Sequence, residues 1–288
     1  MLVLIVWLVD LKQALSYLQE ANGYWIVLAL VIVQLQVVLS AWRWQRTAVR
    51  LGQRLSVQRA IGEYYLATVA NLSLPGGVTG DAARIVRNRD EQGWGLVAQG
   101  VLLERLAGQL ALFLVALLGW LLWPLLLDGE APADAGKVLL IFLLLIMSLA
   151  LVLFLIARFT TGRIKRFIDS VRPAMHRAWL SDGQWQIQSI LSLLVVGTYL
   201  TVFALSAAAI GQPLPILALL ALVPLVLLSM VLPVSVGGWG VREAVAAALW
   251  PLAGLSSEAG IATSVVYGLI SLLGVLPGVL VLLMRRRT

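Results

Sequence analysis

Apolar blocks of about twenty residues recur along this chain, and about twenty helical residues are what it takes to cross ~30 Å of hydrocarbon. Judged by their charged boundaries, these blocks lie at residues 24–41, 101–127, 138–157, 187–210 and 261–284. They lack the period-two alternation of a transmembrane barrel strand. Of the 288 residues, 61% are hydrophobic and 12% charged, and the mean hydropathy is +0.95. That leaves too little polar surface to solvate a globule of this size. The expected fold class is an all-α polytopic membrane protein, a helical bundle.

The net charge of +7 does not point to nucleic acid, because the basic residues flank apolar spans. Arg43, Arg46, Arg50, Arg54 and Arg59 follow the first block, a basic run at 158–177 follows the third, and Arg285, Arg286 and Arg287 close the chain. By the positive-inside rule all three clusters are expected in the cytoplasm, facing anionic lipid headgroups. The acidic, turn-rich segment 128–134 belongs on the other side. Trp42, Trp44, Trp94, Trp120, Trp123, Trp179, Trp185 and Trp250 fall near block ends and read as an aromatic belt. Residues 158–182 mix apolar and basic positions at helical spacing, as an interfacial segment does, and 11–20 resemble them on the opposite side. Residues 1–9 are apolar but too short to span. They lack a basic n-region and a cleavage site, and read as the stub of a longer first helix.

There is no cysteine, and the single histidine, His176, lies in a basic run. No catalytic residues, metal site or cofactor are expected, because the usual constellations need several such residues at close spacing. The chain does not read as an enzyme.

Two segments do not fit a simple alternation of spans. Residues 60–93 leave the cytoplasmic arginines, contain Leu74-Pro75-Gly76-Gly77, and end with Arg84, Arg87 and Arg89 before a span that must again start inside. Residues 214–252 contain Leu232-Pro233 followed by Gly237, Gly238 and Gly240, and lie between two spans that must meet outside. Each segment therefore enters and returns, from opposite faces. Leu74 and Leu232 are 158 residues apart, and the flanking spans keep nearly that offset. An inverted repeat explains this: repeat one at 24–127, a linking span at 138–157, a cytoplasmic interfacial segment at 158–182 and repeat two at 187–284. Interrupted helices at matching positions of inverted repeats point to a transport site near the midplane.

Pro75 removes a backbone donor and the glycines permit a tight turn, so the break must be buried in protein or line a wet cavity. The half-helix opening at Thr79-Gly80-Asp81 offers N–H groups and a positive dipole end to an anion, and Asp81 is either a site residue or simply its cap. The competing reading at Leu74–Gly77 is an ordinary cytoplasmic loop, which breaks the charge parity once the second copy is counted. At Pro233 alone it is a routine kink, less in keeping with the three glycines and Arg-Glu pair that follow.

Arg84, Glu104, Arg105, Arg242 and Glu243 lie in or beside embedded segments, where one charge costs roughly 3 kcal/mol or more. Interior pairing is one explanation: Arg105 with a neighbour of Glu104, or Arg242 with Asp81. The other is convergence of arginines from both hairpins on one anionic headgroup, since the guanidinium fork suits phosphate. Asn71 is placed to satisfy freed carbonyls or a polar headgroup, and Trp239 to stack on a sugar or fill the core. Arg87 and Arg89 are expected among headgroups.

Ala41–Trp44 (AWRW), Asn71–Arg84 (NLSLPGGVTGDAAR), residues 102–106 (LLERL) and residues 232–244 (LPVSVGGWGVREA) occur in an order and spacing that resemble the flippase-like transmembrane domain of lysylphosphatidylglycerol synthases. The resemblance covers nearly the whole chain. It implies movement between leaflets of a membrane lipid with an anionic or polar headgroup, a phospholipid or polyprenyl-phosphate-type glycolipid. It also implies a bacterial cytoplasmic (inner) membrane location with the C-terminus cytoplasmic. The residues to test are Asn71, Asp81, Arg84, Arg105, Arg242 and Glu243, with Glu104 and Trp239 beside them. A synthase domain is not expected, since four residues follow Met284. Two other readings stay open: a non-transporting partner that presents lipid to a separate glycosyltransferase or synthase, and an ion-coupled small-solute transporter using Asp81 and Glu243.

Overall fold

The computed structural model describes residues 16–17, 19–74, 77–89, 93–126, 147, 155, 158–231 and 235–279. Most of the proposed linking span at 138–157, the acidic segment 128–134, most of residues 1–20, Pro75, Gly76, Pro233 and the terminal arginines lie outside these residues. Among the described residues the secondary structure is helical, with no strand.

The first span, α1 (Gly23–Arg50), opens at Asn22, whose side chain accepts from the Tyr24 N–H at 2.9 Å. It does not stop near residue 41. Arg43 and Trp44 continue the helix and are buried inside the bundle, so a hydropathy boundary ends this span too early. A broken pair follows, α2 (Val57–Ser73) and α3 (Thr79–Asn88), and then α4 (Trp94–Leu126). The basic segment forms α5 (Gly162–Met175), a π-helical turn and a 3-10 turn. Asp182 and Gly183, with φ of 54° and 69°, then bend the chain into α6 (Gln184–Ala209). A second broken pair comprises α7 (Ile216–Ala221), α8 (Val223–Ser229) and α9 (Val241–Leu249), and α10 (Ser257–Gly274) follows.

Among the described residues, four helical stretches are long and apolar enough to cross a membrane: Gly23–Arg50, Trp94–Trp123, Ile164–Ala209 and Ser257–Val279. The third is continuous only in outline, because the bend at Asp182 separates polar α5 from apolar α6. The chain is an all-α polytopic membrane protein.

Side-chain ladders set the directions of the helices. The Asn22 N–H donates to the Ala209 carbonyl, Gln188 donates to Thr47, and Arg50 pairs with Asp182, so α1 and α6 run antiparallel along their whole length. In the first broken pair, Asn71 meets Gly80 and Glu63 meets Arg87, so α2 and α3 form an antiparallel hairpin. Its base lies at the end of the bundle where Gln53 bonds the Leu96 carbonyl. The second hairpin starts just after Ala209, at the other end, and α9 runs back along α10 through Arg242–Ser264 and Ala247–Ser257. The hairpins enter from opposite ends, and their tips touch: a Cβ on Gly237 would lie 2.6 Å from the Leu72 carbonyl oxygen. Gly237 also has φ +56°, so both conformation and space call for glycine there.

The aromatic belt is only partly seen. Trp42, Trp94 and Trp185 are exposed, whereas Trp44, Trp120, Trp123 and Trp250 are buried. Trp250 joins a core stack, with Phe203 5.8 Å away and Phe203 in turn 4.9 Å from Tyr267. Sequence position near a span end does not distinguish a tryptophan turned to lipid from one turned inward.

Candidate functional site

A cavity of about 560 Å³ lies beside the two tips. Mid-span residues Gln36, Leu112 and Val196 contribute to its wall, which sets it at the middle of the bundle.

The first hairpin places a buried ionic chain against this cavity. Asn71, in the last turn of α2, accepts from the Gly80 N–H at 2.8 Å, so a side chain from the opposite arm supplies the cap of α3. Asp81 is thereby freed from capping. It pairs with Arg84 on its own helix and with Arg105 on α4. Arg84 also reaches Glu104 at 3.4 Å, and Glu104 receives Arg43 of α1 at 2.7 Å and the Tyr64 hydroxyl at 3.2 Å. Charges that would be costly in hydrocarbon are thus held by one another across three helices, α1, α3 and α4, with the Tyr64 hydroxyl of α2 added. The Arg84 guanidinium lies 4.6 Å from the ring centroid of Trp44 and 4.8 Å from that of Tyr64, as a cation does on aromatic faces.

The second hairpin repeats this arrangement with other residues. Arg242, in the first turn of α9, donates to Glu243 at 2.7 Å and through Nε to the Ser264 hydroxyl of α10 at 2.8 Å. Its guanidinium lies 5.1 Å from the rings of both Trp239 and Tyr267. Glu243 in turn accepts from Ser264 and from the Gly240 N–H, which holds the start of α9 in place. Gly268 makes room for this cluster: a Cβ there would lie 2.3 Å from Arg242 Nη2.

Donors exceed acceptors. Among the described residues, Nε and Nη1 of Arg84, Nη1 of Arg242, and Nε of Arg43 and of Arg105 are buried without a hydrogen-bond partner. All four of these arginines line the cavity. Unpaired buried donors are costly, and cationic ones more so. The chemistry this arrangement offers is binding of an oxyanion. No group of three side chains suited to a metal occurs among the described residues.

Of the eight residues singled out in the sequence, Asn71, Asp81, Arg84, Glu104, Arg105 and Arg242 line the cavity. Trp239 and Glu243 stand behind, bracing Arg242. Arg242 does not pair with Asp81, because each hairpin carries its own carboxylate. Arg87 and Arg89 are also engaged within the chain, Arg87 with Glu63 at 2.6 Å and Arg89 over the Trp94 ring. The sequence reading missed Arg43, which it grouped with the surface arginines, and Tyr64. The signal for Arg43 was its place between two tryptophans that helical spacing carries to different faces, Trp42 outward and Trp44 inward.

The family described as the lysylphosphatidylglycerol synthase TM region matches residues 1–278. No curated protein and no solved structure matches the chain.

Proposed function

Because this chain belongs to the lysylphosphatidylglycerol synthase transmembrane family, we propose that it moves a lipid with an anionic headgroup between leaflets. In this reading the hairpins are re-entrant, entering the membrane from opposite faces. The headgroup passes through the mid-bundle cavity while the acyl or prenyl tails stay in the bilayer. The observation that carries the reading is the set of buried donors without acceptors on four arginines that line one cavity, Arg84 and Arg242 from the two hairpins and Arg43 and Arg105 from α1 and α4. Apolar Leu72, Val195 and Leu227 in the same wall suit the part of an amphipathic molecule next to its headgroup.

The reading gives the chain no chemical step. It places the protein in a bacterial cytoplasmic (inner) membrane with its C-terminus inside, in keeping with the flanking charges.

The test is headgroup accessibility in proteoliposomes with labelled anionic lipids, comparing the wild type with Arg84→Ala and Arg242→Ala. Protein-dependent transfer that both substitutions abolish, in variants that still elute as folded protein, is the expected result. Transfer no faster than in empty liposomes, for any lipid, overturns the proposal and brings forward the alternative of a partner that only presents lipid to an enzyme.

A further inference from the structure

Resting on the proposed passage of a lipid headgroup through this cavity, we infer that the headgroup is a phosphodiester with one negative charge and no ammonium group. The charge balance of the site carries the inference. Arg43, Arg84, Arg105 and Arg242 line the cavity together with Asp81 and Glu104, the first three in direct ion pairs with those carboxylates, and Glu243 stands behind Arg242. Four cations against three carboxylates leave one positive charge. The neighbouring Glu63–Arg87 pair adds no net charge.

The carboxylates are also fully engaged. Glu104 is shared by Arg43, Arg84 and Tyr64. Asp81 is shared by Arg84, Arg105 and Asn71, and Glu243 by Arg242, Ser264 and the Gly240 N–H. An ammonium group entering the cavity meets guanidiniums and no free carboxylate oxygen, the one buried unpartnered acceptor among the described lining residues being the neutral Gln36 Oε1. A zwitterionic or aminoacylated headgroup is therefore selected against by repulsion. A diphosphate brings more negative charge than the site can neutralise, and an uncompensated charge in a low-dielectric interior is costly. A single phosphodiester brings the site to neutrality and gives acceptors to the unpaired guanidinium donors.

The cavity of about 560 Å³ leaves room for an uncharged polyol or sugar beyond the phosphate. Glycerophospholipids and polyprenyl phosphoryl sugars share this chemistry.

The experiment measures retention and transfer in parallel. The purified full chain is offered phosphatidylglycerol, a polyprenyl phosphoryl hexose, phosphatidylethanolamine and a polyprenyl diphosphoryl hexose, and retained lipid is read by native mass spectrometry. At least one of the two phosphodiesters is expected to be retained roughly tenfold or more over phosphatidylethanolamine and over the diphosphate. The stronger of the two identifies the lipid source. Arg105→Gln, at the most open of the four arginines, removes the excess charge and should abolish discrimination against phosphatidylethanolamine, while Arg105→Lys keeps it.

Equal retention of phosphatidylethanolamine, preference for the diphosphate, or no retention of any lipid overturns the inference. Selective retention without transfer overturns the passage reading and leaves the charge assignment standing. Equal transfer of every headgroup does the reverse.

Discussion

A Cβ on Gly80 would stand 1.9 Å from the Ala67 carbonyl oxygen, so the two arms of the first hairpin touch backbone to backbone at the level of Asp81. Close approach of this kind is how helices pack where apolar surroundings supply no hydrophobic drive. Gly80→Ala must push α3 off α2, and the expected loss is about 1–3 kcal/mol, read as a lower melting temperature in detergent. Gly95→Ala, where a Cβ meets nothing within 4 Å, should leave it unchanged or slightly raised. The same scale separates the charges. Glu104→Ala leaves Arg43 without its ion partner and Arg84 with Asp81 alone in the interior, and should cost about 3–5 kcal/mol. Asp169→Asn, in the exposed Lys165–Asp169 pair of α5, should cost about 0.5 kcal/mol or less. Parallel thermal unfolding of the two variants checks the contrast, and equal losses would show that the buried ionic chain is not the structural element described here.

The two broken helices explain why much of the fold was legible in the sequence and part of it was not. A proline and clustered glycines inside an apolar run change backbone chemistry locally, so both interruptions could be placed within a few residues from the sequence. Span ends were less legible. Arg43 looks like the start of a cytoplasmic flank until Glu104, sixty-one residues later, is known to reach it at 2.7 Å. Pairing that crosses helices leaves no mark in local hydropathy, and for the same reason the partners of Arg105 and Arg242 were open in the sequence. The side reached by each hairpin base is a prediction at this scale. The chain has no cysteine, so single Val57→Cys and Ile216→Cys variants report cleanly. Both positions are exposed, one at the start of each hairpin. In oriented vesicles a membrane-impermeant maleimide should label them from opposite sides. Labelling of both from one side would remove the opposed entry of the hairpins.

Across the whole molecule, some contacts recur at or near the offset of 158 that the sequence reading of an inverted repeat uses. Arg84 and Arg242 differ by that number, and each lies between two aromatic rings on the returning arm of its hairpin. Gly119 of α4 packs on Ala221 of the second hairpin, and Gly278, beyond α10, packs on Tyr65 of the first. Moving the first contact by 158 takes Gly119 to residue 277 and Ala221 to residue 63, within two positions of the second contact. Two like halves, reaching the same cavity from opposite ends, suit a passage that opens to either side by parting one set of contacts at a time. The shared contact is at the tips, where Leu72 meets Gly237. The most direct test joins Leu72→Cys to Val236→Cys, the neighbour of Gly237, with a short reducible bis-thiosulfonate in the cysteine-free chain, and follows lipid transfer in proteoliposomes. Transfer that stops on cross-linking and returns on reduction is the predicted result. A cross-linked protein that moves lipid at the uncross-linked rate would contradict passage between the hairpin tips.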